Sequence, residues 1–512
     1  MMRFTTLFQT ILLVCTARSS FSGTLSCCRN AKDSIQIRTI DVKQHGVVGD
    51  GQHDDTATMR RVLQSLDGAL HDDMSSCCCH KLHVIIPKDV VVLSYPLNIT
   101  SCTILQIDGV LLAMPSTEHW PILPPVNIYG NSEDTYHGAR IINQYHPFVY
   151  AAHASHIRIT GQGTIHGNGH FWWQMFQNAS VPLQLGGRPN LIQTLDCNDV
   201  EIDSITLVDS AFWTVHPMLS RNVHIHHVII RAPMYAPNVD GIDPDSCHNV
   251  MIEHNDVACG DDHIAIKAGL CGLSNDRNSI NNCMDKEWEH SRSVPTRNVT
   301  VRHNVFRTGM GVAVGSESSG GIQDVHVYNN TIGVCQSGHD DPQKSCGWGP
   351  ALHLKTTITR SGSIQNVYFE NNTVYNNSMF ILVETNYHGE NRPQIPDRYP
   401  KTLVKGIYFR NNRAIGTATA AIFRCDALDP CHEIHVVNNY IANSRNDDPW
   451  GCEYIQSYHV ENNVPEGLDD CMAASMNGTA SNVVTKVNSS KKLWLQHPPL
   501  QKEERMAAIA HK

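Results

Sequence analysis

Short runs in which apolar and polar residues alternate, bounded by Asn, Asp and Gly, fill most of the chain. One unit recurs among them: Asn or Asp, Val, any residue, Ile or Val, and an aliphatic residue five places further on. It starts at Asp199, Asn222, Asn249, Asn298, Asp324 and Asn366, with weaker copies at Gly406 and Glu433. A period of two rich in β-branched residues predicts short strands, and the Asn and Gly between them predict tight turns rather than helices. Successive copies stand 23, 27, 49, 26, 42, 40 and 27 residues apart, so the longer steps hold either two coils or one coil with an insertion. Strands this short cannot each bury an apolar side alone, whereas stacked coil on coil they share one core. The predicted fold is therefore all-β, a single-stranded right-handed parallel β-helix over residues 37–445.

The ends read differently. Asp54 or Asp55 is placed to cap a helix from Thr56 to Leu66, which would close the open end of the solenoid. This Asp-Asp pair is expected to be structural. After residue 445 the strand pattern fades, which predicts a capping segment at 446–472 and a disordered tail at 473–512. At the start, Met1-Met2-Arg3, the apolar run Leu7 to Val14 and Ser20-Phe21-Ser22 before Gly23 predict a secretory signal at 1–22, followed by a linker at 23–36. No later run of about 20 apolar residues is present to span a membrane.

One stretch concentrates carboxylates in a fixed arrangement. Asn238-Val239-Asp240-Gly241-Ile242-Asp243-Pro244-Asp245 is followed, about one coil later, by Gly260-Asp261-Asp262-His263-Ile264-Ala265-Ile266-Lys267. Asp240 and Asp261 are 21 residues apart, close to one coil, so stacking would bring Asp240 beside the Asp261-Asp262 pair. Crowded carboxylates cannot all ionise; repulsion keeps one protonated as a general acid while the others stay basic. Cleavage of a sugar acetal needs that division of labour, one carboxylic acid for the leaving oxygen and one carboxylate for water.

At these residues the chain resembles the polygalacturonase family of glycoside hydrolases, family 28, of the pectin lyase-like superfamily. The resemblance rests on Asn238-Val239-Asp240, Gly260-Asp261-Asp262 and the block from Gly315 to Gly321. It extends through 163–169, Trp172-Trp173, Arg188-Pro189 and 210–217, covering roughly residues 37 to 445. It implies that Asp261 is the general acid, that Asp240 and Asp262 hold the nucleophilic water, that the anomeric centre is inverted, and that no cofactor is needed. Two blocks depart from the family pattern. Where many members carry Gly-His-Gly, this chain has Gly309-Met310-Gly311, and where they carry Arg-Ile-Lys it has His353-Leu354-Lys355. Strand alternation sends Leu354 inward and leaves His353 and Lys355 on one face, where they would hold a substrate carboxylate. An imidazole is cationic mainly at acidic pH, unlike the permanent guanidinium fork it replaces. The alternative for His353 is a structural histidine.

Composition narrows the partners. A net charge of −10 argues against nucleic acid and against long-range attraction of a polyanion, so a pectin-type polysaccharide would need a local basic patch, for which Lys267, His353 and Lys355 are the candidates. Asn238, His216 and Tyr235 are further candidates for substrate binding, with a buried, backbone-bonded histidine as the alternative for His216. Trp172, Trp173 and Trp213 are expected mainly to pack, and Leu270 to Pro295 to form a loop at the rim of the site. Eight Asn-x-Ser/Thr sites and 18 cysteines, one of them Cys15 in the signal, suit a secreted glycoprotein. The remaining odd number leaves one cysteine unpaired, and local pairs are plausible at Cys271 with Cys283, Cys335 with Cys346, Cys425 with Cys431 and Cys452 with Cys471. Adjacent cysteines such as Cys77-Cys78-Cys79 spread poorly around a tetrahedral ion, so no metal site is expected. The chain is expected to act as a monomer. Three rivals share the scaffold: a hydrolase of rhamnogalacturonan or another uronate polymer, a calcium-dependent lyase, and a non-catalytic carbohydrate-binding relative.

Overall fold

A computed structural model describes residues 37–65, 81–124, 144–178, 187–269, 294–335, 347–357, 362–387, 402–417, 419–442 and 450–476, with short strands at 135–136 and 139–140. The expected signal, linker, most of the tail, the cysteines at 77–79 and residues 270–293 of the expected rim loop lie outside the described residues.

Among the described residues, the chain winds as a right-handed parallel β-helix with three faces. A 13-stranded sheet starts at Arg38–Asp41 and ends at Tyr458–Glu461, and a 12-stranded sheet starts at Asp50–Asp54 and ends at Tyr440–Ala442. The third face is divided into a four-stranded part ending at Val215–Met218 and a six-stranded part starting at Ile264–Ile266. Coils therefore continue past 445. The recurring unit is one rung of the first sheet: Val200 pairs in register with Val223, then Val250, Val299, Val325, Val367, Ile407 and Ile434. Direct pairing across the long steps means that each is one coil with an insertion, not two coils.

The reason for Asn or Asp at the head of each unit is conformational. Asp199, Asn222, Asn249, Asn298, Asp324, Asn366, Gly406 and Glu433 all have left-handed backbone, with φ between 52° and 68°. Asn, Asp and Gly tolerate that region best. A second column is buried: Asn255, Asn304, Asn330, Asn372, Asn412, Asn439 and Asn463 stack, the side-chain Nδ2 of each donating to the Oδ1 of the next at 2.9–3.0 Å. The same Oδ1 atoms also accept the preceding coil's backbone N–H. Each rung thus satisfies a main-chain donor that no strand partner reaches. Truncating one member, Asn372→Ala, strips two bonds from Asn330 inside the core. The expected loss is about 2–4 kcal/mol, read from urea unfolding, because buried donors left unpaired cost about 1–3 kcal/mol each.

Helix α1 (Thr56–Leu63) buries Met59, Val62 and Leu63; it stops short of Leu66, which is not described. Asp54 Oδ1 accepts the Thr56 N–H at 3.0 Å, while Asp55 accepts the backbone N–H groups of Val48 and Gly49. Both carboxylates are thus spent on local main chain. Helices α2 (Gly169–Gln177) and α3 (Leu468–Met476) flank the coils, and the Cys452–Cys471 disulfide ties α3 to the strand Trp450–Glu453. Cys425 pairs with Cys431, and Cys102 and Cys335 are also disulfide-bonded. Among the described residues, Cys197, Cys247 and Cys259 are free and buried, more than the single unpaired cysteine expected. No helix among the described residues is long and apolar enough to cross a membrane.

Candidate active site

The division of the third face falls where the carboxylates are. Residues 238–245 carry the chain across it as isolated bridges: Ile242 pairs with Val215 on one side and Ile264 on the other, and Asp245 pairs with both Met218 and Lys267. Gly241 N donates to the Asp262 carbonyl at 2.9 Å, which sets the Asp240 segment against the Asp pair. Such close approach needs small residues. A Cβ on Gly260 would stand 2.0 Å from the Ala236 carbonyl oxygen, so no other residue fits before Asp261.

Two ammonium groups organise the carboxyls. Lys267 Nζ lies 3.2 Å from Glu317, 3.6 Å from Asp243 and 3.9 Å from Asp240, and 4.3 Å above the Trp213 ring. Lys355 Nζ lies 2.6 Å from Asp262 Oδ2 and faces the Tyr387 ring. Asp240 is 4% exposed, Asp262 2%, Glu317 1% and Asp243 0%, while Asp261 is half-buried. Five carboxyl groups therefore share two ammonium ions in a largely dry site, and not all can ionise.

Protons stay accordingly. Burial, then the Asp262 charge, pushes the Asp261 carboxyl up to about 6 against the pull of Lys355 and Lys267. Burial and the neighbouring Asp243 and Asp261 push Asp240 well above its ordinary range, with Lys267 opposing, and burial lifts Asp243 to about 7. Burial disfavours the Lys355 ammonium, but Asp262 outweighs it and holds the charge.

The remaining candidates divide. His353 and Lys355 do share a face, with Leu354 fully buried in the core; His353 Nε2 meets Glu384 Oε1 at 3.2 Å, which holds the Glu384 carboxyl low against its burial. Lys267, 2% exposed and engaged by carboxylates, has no surface to offer a polymer. His216 is likewise 2% exposed: it faces Asp245 at 3.6 Å, contacts Asn190 and Gln193, and burial pushes its pKa down against the pull of Asp245. It supports the floor of the site through side chains, not through backbone, and lines no surface. Asn238 is half-buried, its Oδ1 held at 2.9 Å by Arg188, whose guanidinium is clamped between Phe176 and Phe212. Tyr235 packs edge-on against Trp173, beside a satellite apolar cluster of Trp173, Ala236 and Val239. Met310 occupies the departed Gly-His-Gly block, its N–H donating to the Asp261 carbonyl at 2.9 Å.

Sequence reasoning missed Asp243, Glu317, Arg188 and Glu384 as parts of the site. Asp243 follows Asp240 at a spacing of three, and Glu317 sits inside a recognised block, so both were visible as residues. Their roles depend on Lys267 lying beneath them.

A β-helix that crowds buried carboxyls on one face has the groups that glycoside hydrolysis needs. The chain belongs to the glycosyl hydrolases family 28, whose model matches residues 125–462. It is 28% identical over 445 residues to a probable polygalacturonase of Vitis vinifera, covering 84% of this chain and 82% of that one. An endo-polygalacturonase of Pectobacterium parmentieri is 28% identical over 49% of this chain and 56% of its own. Among solved structures, the exopolygalacturonase of Thermotoga maritima superposes with a TM-score of 0.65 at 23% identity, over 84% of this chain and 93% of that one. The polygalacturonase of Erwinia carotovora gives a TM-score of 0.58 at 20% identity, over 85% of this chain and all of its own.

A reaction that needs Asp261 protonated slows as pH rises. The expected profile of kcat/KM falls on its alkaline side with an apparent pKa of about 6, a value belonging to the coupled cluster as a whole. A profile flat from pH 5 to 8 contradicts it.

Proposed function

We propose that the chain is a secreted hydrolase of the α-1,4-galacturonide bonds of pectin, acting by single displacement. Asp261 donates a proton to the leaving oxygen, while Asp240 and Asp262 hold and activate water on the opposite side. The observation that carries this is the contrast in access: of the clustered aspartates, Asp261 alone keeps an open side while its proton is retained near pH 6. Lys267 is a positioning residue, fixing Asp240 and Asp243. Lys355, 6% exposed, is engaged by Asp262 and positions that carboxylate. The names of the relatives support a galacturonan substrate.

The His353–Glu384 pair favours a second reading. Where a free guanidinium would grip a uronate, this chain presents an imidazole already matched by a carboxylate. That weakens the demand for a uronate at this position and suits rhamnogalacturonan or another mixed uronate polymer. The two are separated by incubating the purified chain with de-esterified polygalacturonate and with rhamnogalacturonan, with and without chelator. Release of reducing ends from the first, unaffected by chelator and without the ultraviolet absorbance of unsaturated sugars, supports the galacturonan reading. Release from the second alone supports the alternative, and chelator-sensitive unsaturated products would indicate a lyase.

A further inference from the structure

The outward side of the first sheet carries a cluster that the proposed reaction does not use. Strand Arg221–His226 alternates, sending Val223 and Ile225 into the core and leaving His224 and His226 half-buried on the outside. Register sets Glu201 of the preceding coil beside His224 and Glu253 of the following coil beside His226. The two imidazole centroids are 4.1 Å apart; His226 Nε2 stands 3.2 Å from Glu201 Oε1, and His224 Nε2 3.0 Å from Glu253 Oε1.

We propose that Glu201, His224 and His226 form a binding site for a divalent transition-metal ion, with Zn²⁺ the ion that their donors suit. One ligand atom from each lies within 4.8 Å of the others. Two ligands on a tetrahedral zinc ion, with bonds of about 2.0–2.1 Å, stand about 3.3 Å apart. The Glu201–His226 separation already matches, and side-chain torsions alone bring in His224. Two imidazoles with a carboxylate and no thiolate are borderline donors that favour zinc over calcium or magnesium. The carboxylates are also pre-oriented. Arg158 grips Asp203 through two bonds of 2.7 and 3.0 Å and stands 3.5 Å from Glu201 Oε2, while Glu201 Oε1 faces His226. Arg302 takes Glu253 Oε2 at 2.7 Å. Outer partners of this kind fix the aim of metal-binding side chains. Water completes the fourth position. The ion would join two successive coils of the first sheet, while the aspartate cluster occupies the third face, so its role is to fasten the solenoid.

The test is calorimetric titration of ZnCl₂ into the purified chain, without a histidine tag, at pH 7.5. A saturable one-to-one isotherm is expected, with a rise in Tm because the ion binds only the folded state. Affinity should fall by about 100-fold or more in the His224→Gln/His226→Gln variant and also in Glu201→Gln. Both variants should keep the glycosidase rate of the parent chain, which shows that they are folded. An isotherm unchanged in these active variants, or no saturable binding by the parent, overturns the proposal.

Discussion

Replacing Asp261 by Asn is expected to lower kcat by about 10²–10⁴-fold, the usual worth of a positioned proton donor, with little change in KM. Asn matches the size of Asp and keeps an oxygen that can accept the Asp262 N–H, which the Asp261 carboxylate accepts at 3.0 Å. It removes the proton and the charge. Stability should not suffer. A carboxyl whose pKa is raised in the folded state contributes stability below its unfolded value near 3.8 and loses it as pH rises through about 6. At pH 7 the ionised Asp261 therefore burdens the fold, and the Asn variant should melt at the same temperature as the parent or above it. Steady-state kinetics and thermal melts on one preparation check both halves. A variant that loses activity only by unfolding would contradict the assignment.

Lys267→Met is expected to cost about 3–5 kcal/mol at pH 7, because it leaves buried Asp240, Asp243 and Glu317 without their shared cation. The sign with pH follows from the raised pKa values of Asp240 and Asp243. With Lys267 gone these groups titrate still higher, so the deficit is greatest at pH 7 and above and shrinks as pH falls toward 4. Adding Asp243→Asn removes one of the carboxyls that must take up a proton once Lys267 is gone and should recover part of the loss at pH 7, a coupling that a double-mutant cycle reads directly. Urea unfolding at pH 4.5 and 7 checks the direction. A penalty independent of pH would mean that Lys267 acts by filling space above Trp213.

The coils were legible because their rule is local. A left-handed residue followed by alternating β-branched ones identifies a rung wherever it occurs, and Val200 through Ile434 pair as that rule requires. The buried Asn column was less so, since its members sit where turns are already rich in Asn, and only stacking distinguishes Asn330 from exposed Asn329. The gathering of Asp240, Asp261 and Asp262 could be read from a spacing near one coil. What surrounds them could not. Lys267 looked like part of a basic patch and His216, one coil before Asp240, like the lining of a subsite, yet both are 2% exposed and face buried carboxyls. Glu384 was less visible because it lies on the next coil opposite Lys355 in register, and it reaches His353 diagonally.

Proton NMR of polygalacturonate during the first minutes of digestion tests the proposed reaction most directly. Single displacement at an α-linked bond must release the β anomer first, with the α anomer appearing only by mutarotation. Early β-anomer signal is the predicted result. Early α-anomer signal, or vinylic protons of an unsaturated end, would contradict single-displacement hydrolysis by Asp261, Asp240 and Asp262.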